Sequence, residues 1–142
     1  MSKKNIAVLG AGKMGLGIAQ LFATKGHQVK VIYVYDDKIR CDAAAVVRSN
    51  LSVLVENDVM TQQEADDAAA RISFVDTIEE VADFADIVFE GIIEKLEIKQ
   101  DYFAKMDAIF PVSTILATNT SAISITEIAE KSVHKERIIG TH

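Results

Sequence analysis

Cysteine and proline each occur once in the 142 residues, and neither a long apolar run nor a basic excess is present. A lone Cys41 excludes an intramolecular disulfide framework and fits a reducing compartment. With no histidine or second cysteine near it in the chain, Cys41 reads as a packing or surface thiol, and no metal is expected. Nothing approaches the roughly 20 consecutive apolar residues that span a bilayer. The apolar run at residues 6–9 breaks at once into glycines, unlike a signal peptide, so the cytoplasm is the expected location. A net charge of −6 argues against a nucleic-acid partner or an anionic membrane surface, both of which call for clustered Lys and Arg. Lys3-Lys4 is an isolated basic pair, read as solvated.

What is present is the composition of one ordinary globular domain, 49% hydrophobic and 25% charged. Short β-branched apolar runs stand at residues 6–9, 29–35, 72–75, 87–89, 115–117 and 138–139, with helix-type segments between them. Parallel strands need crossovers, and helices supply them. The expected fold is therefore α/β: a Rossmann-type, doubly wound, mainly parallel sheet with helices on both faces, forming one dinucleotide-binding domain over residues 1–142. Thr61-x-x-Glu64, Thr77-x-x-Glu80 and Ser124-x-x-Glu127 each fit the capping box that opens a helix. Pro111 should end a helix over about 95–110. Helical stretches at 38–56 and from Gln62 lie between the second and third strands. They read equally as a projecting arm or as two surface helices.

The chemistry begins at Gly10-x-Gly12-x-x-Gly15, which follows a predicted strand and opens a predicted helix at 14–24. Gly10 permits the tight turn. A Cβ at Gly12 would keep a pyrophosphate off the backbone, and Gly15 lets the helix approach the strand. The unpaired N–H groups of the helix start and its positive dipole end would then face the phosphates. The pattern further calls for an acid at the end of the second strand, to hold the adenosine ribose hydroxyls. Tyr33 stands at that position. Asp36 and Asp37 come later, and Lys38 and Arg40 are the nearest cations to meet a 2′-phosphate. NAD is the expected cofactor, with NADP left open.

Three further blocks fall into line with the glycine turn. They are Ala85 to Glu94 with Lys99, then Ala117-Thr118-Asn119-Thr120-Ser121, then Gly140-Thr141-His142. With the Gly-x-Gly-x-Met-Gly-x-Gly-Ile-Ala form of the turn, they resemble the amino-terminal domain of the L-3-hydroxyacyl-CoA dehydrogenases, most closely the bacterial 3-hydroxybutyryl-CoA type. The resemblance runs over essentially the whole chain. It implies interconversion of 3-hydroxyacyl-CoA and 3-oxoacyl-CoA by hydride transfer to or from nicotinamide. It implies that Lys13, Met14 and the turn contact the pyrophosphate, and that Ile92, Ile93 and Glu94 line the nicotinamide side with Lys99 nearby. It further implies that Asn119 and Ser121 sit at the substrate and cofactor, and that His142 takes the hydroxyl proton.

Taken without the resemblance, these residues read more plainly. Glu94 and Lys99 are then helix charges, Asn119-Thr120-Ser121 a strand-to-helix turn, His27 a turn or packing residue, His134 exposed and His142 a frayed end. The family's histidine works with a glutamate about twelve residues later and with a helical second domain that completes the acyl-CoA cleft and the dimer. Neither has a position in this sequence. The expectation is thus the cofactor-binding domain of a homo-oligomeric parent enzyme, inactive by itself. A non-catalytic binding or assembly module and a hydroxyacid or sugar-acid dehydrogenase sharing this first domain are the alternatives.

Overall fold

The computed structural model describes residues 2–34 and 37–142, with the backbone alone for 37–41. Six parallel strands are present, one at each of the six apolar runs: β1 (Asn5–Leu9), β2 (Gln28–Ile32), β3 (Ile72–Val75), β4 (Ile87–Glu90), β5 (Ile115–Thr118) and β6 (Ile138–Gly140). Their order in the sheet is β3-β2-β1-β4-β5-β6. The connection reverses direction between β1 and β4, and ligands of open α/β sheets bind beyond the carboxyl ends at such a point.

Strand alternation sorts the core into two layers. Ile6 and Val8 of β1 face one cluster with Leu16, Ala19 and Ala23, while Ala7 and Leu9 face the other with Phe103, Met106 and Leu116. The first layer is covered by α1 (Lys13–Thr24), α2 (Asp37–Glu56) and α3 (Gln62–Ala70). The second is covered by α4 (Leu96–Ile109) and the single turn α5 (Ile125–Ile128). Ala43, Val47 and Leu51 form an i, i+4 stripe that buries α2 in the same cluster as Ala65 and Ala68 of α3. The α2–α3 pair is therefore a packed layer, and the projecting arm is set aside.

Several local expectations are corrected. The second strand, expected to reach residue 35, ends at Ile32, where the β3 register also runs out with Ile32 opposite Val75. Thr61 and Glu64 form both halves of their capping box. Thr77 and Glu80 form only the reach-back half, ahead of a three-residue 3₁₀ turn (Glu79–Val81) and no longer helix. Ser124 does not cap with its side chain; its backbone carbonyl accepts the Ile128 N–H and closes the short α5 turn. Asp36 and the side chains of Asp37, Lys38, Arg40 and Cys41 lie outside the described residues. Among the described residues no helix is long and apolar enough to cross a membrane.

Candidate active site

The site starts where β1 hands over to α1. Gly10 has φ +107°, a left-handed conformation that L side chains rarely adopt. A Cβ there would also come within 2.9 Å of the Gly91 carbonyl oxygen and 3.3 Å of Ile92 Cγ2. Gly15 serves a related need, because a Cβ on it would overlap the Gly10 carbonyl oxygen; the helix is drawn against the turn itself. Gly12, the N-cap of α1, differs from both: a Cβ on it would meet nothing within 4 Å. No side chain caps α1 and no acid stands in its first turn. Its leading N–H groups and positive dipole end therefore face open space in front of the sheet. That geometry fits a dinucleotide pyrophosphate.

Beside this helix start lies a cavity of about 240 Å³. Met14 enters from α1, Glu90 to Ile92 and Glu94 from the end of β4, and Lys99 from α4. Asn119 and Ser121 enter after β5 and His142 after β6. Met14 is 58% exposed. Ser121 Oγ lies 2.9 Å from His142 Nε2, so the hydroxyl donates to the imidazole when that nitrogen is unprotonated. The histidine is brought there by β6, whose Gly140 pairs with Thr118, and by Thr141, whose N–H donates to the Thr118 carbonyl at 2.8 Å.

The floor of the cavity is charged. Glu90 is fully buried, and its Oε1 accepts from the Ile92 N–H and from Lys99 Nζ, each at 2.7 Å. Its Oε2 accepts from the Thr118 hydroxyl at 2.6 Å. Lys99, 1% exposed, also stands 3.4 Å from Glu94 Oε2, and the Thr120 hydroxyl donates to Glu94 Oε1. Burial pushes the Glu94 carboxyl up, but the Thr120 hydroxyl and the Lys99 ammonium outweigh it and hold the group below the usual carboxylate range. Period-2 alternation explains the arrangement. Val88 and Glu90 point to the α4 side of the sheet, where Lys99 occupies the same buried stripe as Phe103 and Met106.

Of the residues expected from the sequence, Met14, Ile92, Glu94, Lys99, Asn119, Ser121 and His142 converge on this cavity. Lys13 lines a neighbouring hollow of about 400 Å³ between α1 and α2, together with Leu16 and Asp42. Ile93 is exposed. Tyr33, in the place of the acid, stacks on Phe74 with ring centroids 5.5 Å apart and 18° between planes, and is not among the residues that line the cavity. Glu90, Thr118 and Thr120 had no assigned role; the one signal was an acid ending the apolar run Ile87-Val88-Phe89. His27 is a packing residue as expected, its ring edge-on to Phe22. The His134 side chain is 40% exposed, in line with the expectation, with its Nδ1 3.3 Å from the buried Asp107 carboxylate.

The model of the 3-hydroxyacyl-CoA dehydrogenase NAD-binding domain matches residues 5–142. The chain belongs to that family. A probable 3-hydroxybutyryl-CoA dehydrogenase of Bacillus subtilis is 41% identical over 144 residues, covering 100% of this chain and 49% of the relative. A 3-hydroxyadipyl-CoA dehydrogenase of Escherichia coli is 36% identical over 139 residues, covering 98% of this chain and 29% of the relative. The crystal structure of a 3-hydroxybutyryl-CoA dehydrogenase from Escherichia coli superposes with a TM-score of 0.92 at 34% identity, over 100% of this chain and 30% of that one. The chain thus spans about half the length of the Bacillus relative and less than a third of the other two. As a member of this family it is a Rossmann-type NAD-binding domain.

Proposed function

We propose that the chain is the cofactor-binding part of a dehydrogenase that interconverts (S)-3-hydroxyacyl-CoA, in particular 3-hydroxybutyryl-CoA, and the 3-oxoacyl-CoA. The observation that carries the reading is the pair Ser121–His142, at 2.9 Å, in a cavity that opens beside an uncapped helix start. Bound NAD would supply the acceptor for the hydride that leaves the carbinol carbon. The residues of the chain do the rest. His142 Nε2 takes the hydroxyl proton as general base, and Ser121 Oγ holds the substrate oxygen against it, with Asn119 beside them. Gly12 leaves room for the pyrophosphate at the start of α1, where Lys13 and Met14 flank it. Glu94 and Lys99 face the nicotinamide end. The names of the relatives support a short acyl chain, and the same reading includes a homo-oligomeric full-length protein in the cytoplasm.

The test is reduction of acetoacetyl-CoA by NADH in the full-length protein carrying these residues. His142→Gln is expected to lower kcat by roughly 10²–10⁴-fold while changing NADH affinity by no more than about twofold. Gly12→Val is expected to do the opposite, weakening NADH binding at least ~10-fold without a loss of fold, since its side chain has room. An unchanged kcat in His142→Gln would remove the histidine from the mechanism. Turnover of free hydroxyacids in place of the CoA ester would favour another dehydrogenase built on the same first domain.

A further inference from the structure

The cavity floor holds one cation and two carboxylates. Glu90 meets three donor groups, the Ile92 N–H, Lys99 Nζ and the Thr118 hydroxyl, whose oxygen also accepts the Thr120 N–H at 3.3 Å. Lys99 stands between Glu90 and Glu94, 2.7 Å from one and 3.4 Å from the other. The formal charges of these three side chains, two carboxylates and one ammonium, sum to −1.

We propose that this net charge makes the site discriminate between the two oxidation states of the nicotinamide coenzyme, with Glu90 and Glu94 as the discriminating residues. The oxidised ring carries a positive charge and the reduced ring none, while pyrophosphate and adenosine are the same in both. The ratio of the two affinities therefore cancels everything the glycine turn contributes and isolates the charge at the ring end. A net negative floor of low dielectric favours the cationic ring. The bias is towards the form that oxidises an alcohol, and each tenfold of it lowers the potential of the bound two-electron couple by about 30 mV. The inference rests on the reading that the nicotinamide end enters this cavity.

The experiment measures the Kd of NADH by its own fluorescence and the Kd of NAD by displacement of NADH. It uses the chain, Glu90→Gln and Glu94→Gln, at pH 8 to keep imidazoles neutral. In each variant the ratio Kd(NAD)/Kd(NADH) is expected to rise about tenfold, through weaker binding of the oxidised form. The rise at buried Glu90 should persist in 0.5 M salt. A ratio unchanged within twofold, with both constants moving together, overturns the proposal and leaves the carboxylates as positioning groups only. If Glu90→Gln does not fold, Glu94→Gln decides, because that side chain is 43% exposed and outside the core. Failure of the unaltered chain to bind either form saturably at millimolar concentration overturns the underlying reading, and this outcome is distinct from an unchanged ratio.

Discussion

Lys99 and Asp107 stand about two turns apart on the buried stripe of α4, some 12 Å along the helix. Each meets an opposite charge from the sheet side. At the Asp107 end the account closes within the chain. Arg137 donates through Nε to Asp107 Oδ1 at 2.9 Å, and its remaining N–H groups reach the backbone carbonyls of Asp107, Phe110, Pro111 and Thr114. The other carboxylate oxygen takes the N–H groups of Val133 and His134 at 2.8 and 3.0 Å. All five guanidinium donors are occupied, and the cluster lines none of the described cavities. At the Lys99 end, Glu94 is partly exposed and the charges border a hollow. Both are buried ion pairs. One uses its hydrogen-bonding capacity up on architecture, and the other keeps some in reserve where a ligand can complete it.

The hardest blow to this contrast is Asp107→Asn. It leaves a guanidinium buried without its counter-charge and should cost ~3–5 kcal/mol out of a total of order 5–15 kcal/mol, read by urea unfolding. NADH affinity of the folded fraction should stay within about twofold; a selective loss of binding would make the two ends alike. Acid gives a gentler version. Burial raises the Asp107 carboxyl, but the His134 N–H, Arg137 and the Val133 N–H outweigh it and hold the group below its ordinary value. A carboxylate depressed in the folded state contributes stability above its unfolded value and loses it as pH falls through the folded one. Unfolding free energy should thus decline as pH falls below about 4, with a shallower slope in Asp107→Asn. An identical slope would mean that other acids govern the acid limb.

A smaller loss provides the baseline. Thr61→Ala removes an exposed cap far from either pair and should cost about 1 kcal/mol, with cofactor binding untouched; a change in NADH affinity would show that stability alone shifts binding. Smallest in stability is Glu94→Gln, expected within ~0.5 kcal/mol of the parent by thermal melting. A large destabilisation there would mean that Glu94 too belongs to the architecture.

How far these features could be read in the sequence depends on whether they are local. The six strands are β-branched runs with helices between them, and the glycine turn is a contiguous pattern, so both were legible. Met14, Glu94, Lys99, Asn119, Ser121 and His142, which the resemblance groups together, line one cavity. Glu90 was not, because its role depends on Lys99 nine positions on and Thr118 twenty-eight positions on, joined only by the β4–β5 pairing and the α4 packing. The same long-range contact explains why Lys99, which reads as a surface charge in a helical pattern, is buried. Tyr33 departs from the expected acid in the sequence itself, whereas its partner Phe74 follows only from the β2–β3 register. The Ser124 box failed because the pattern reports a possible start and is silent on whether enough helix follows.

Thr118 looks like one more residue in an apolar strand, yet two neighbours depend on different atoms of it. Its carbonyl holds the Thr141 N–H and so the approach to His142, while its hydroxyl holds Glu90. Valine would copy the shape and keep the strand, but it has no proton to give the buried acid. Serine would give the proton and lose the branch that favours an extended backbone. Alanine would supply neither. The alphabet at this ordinary-looking position is nearly a single letter.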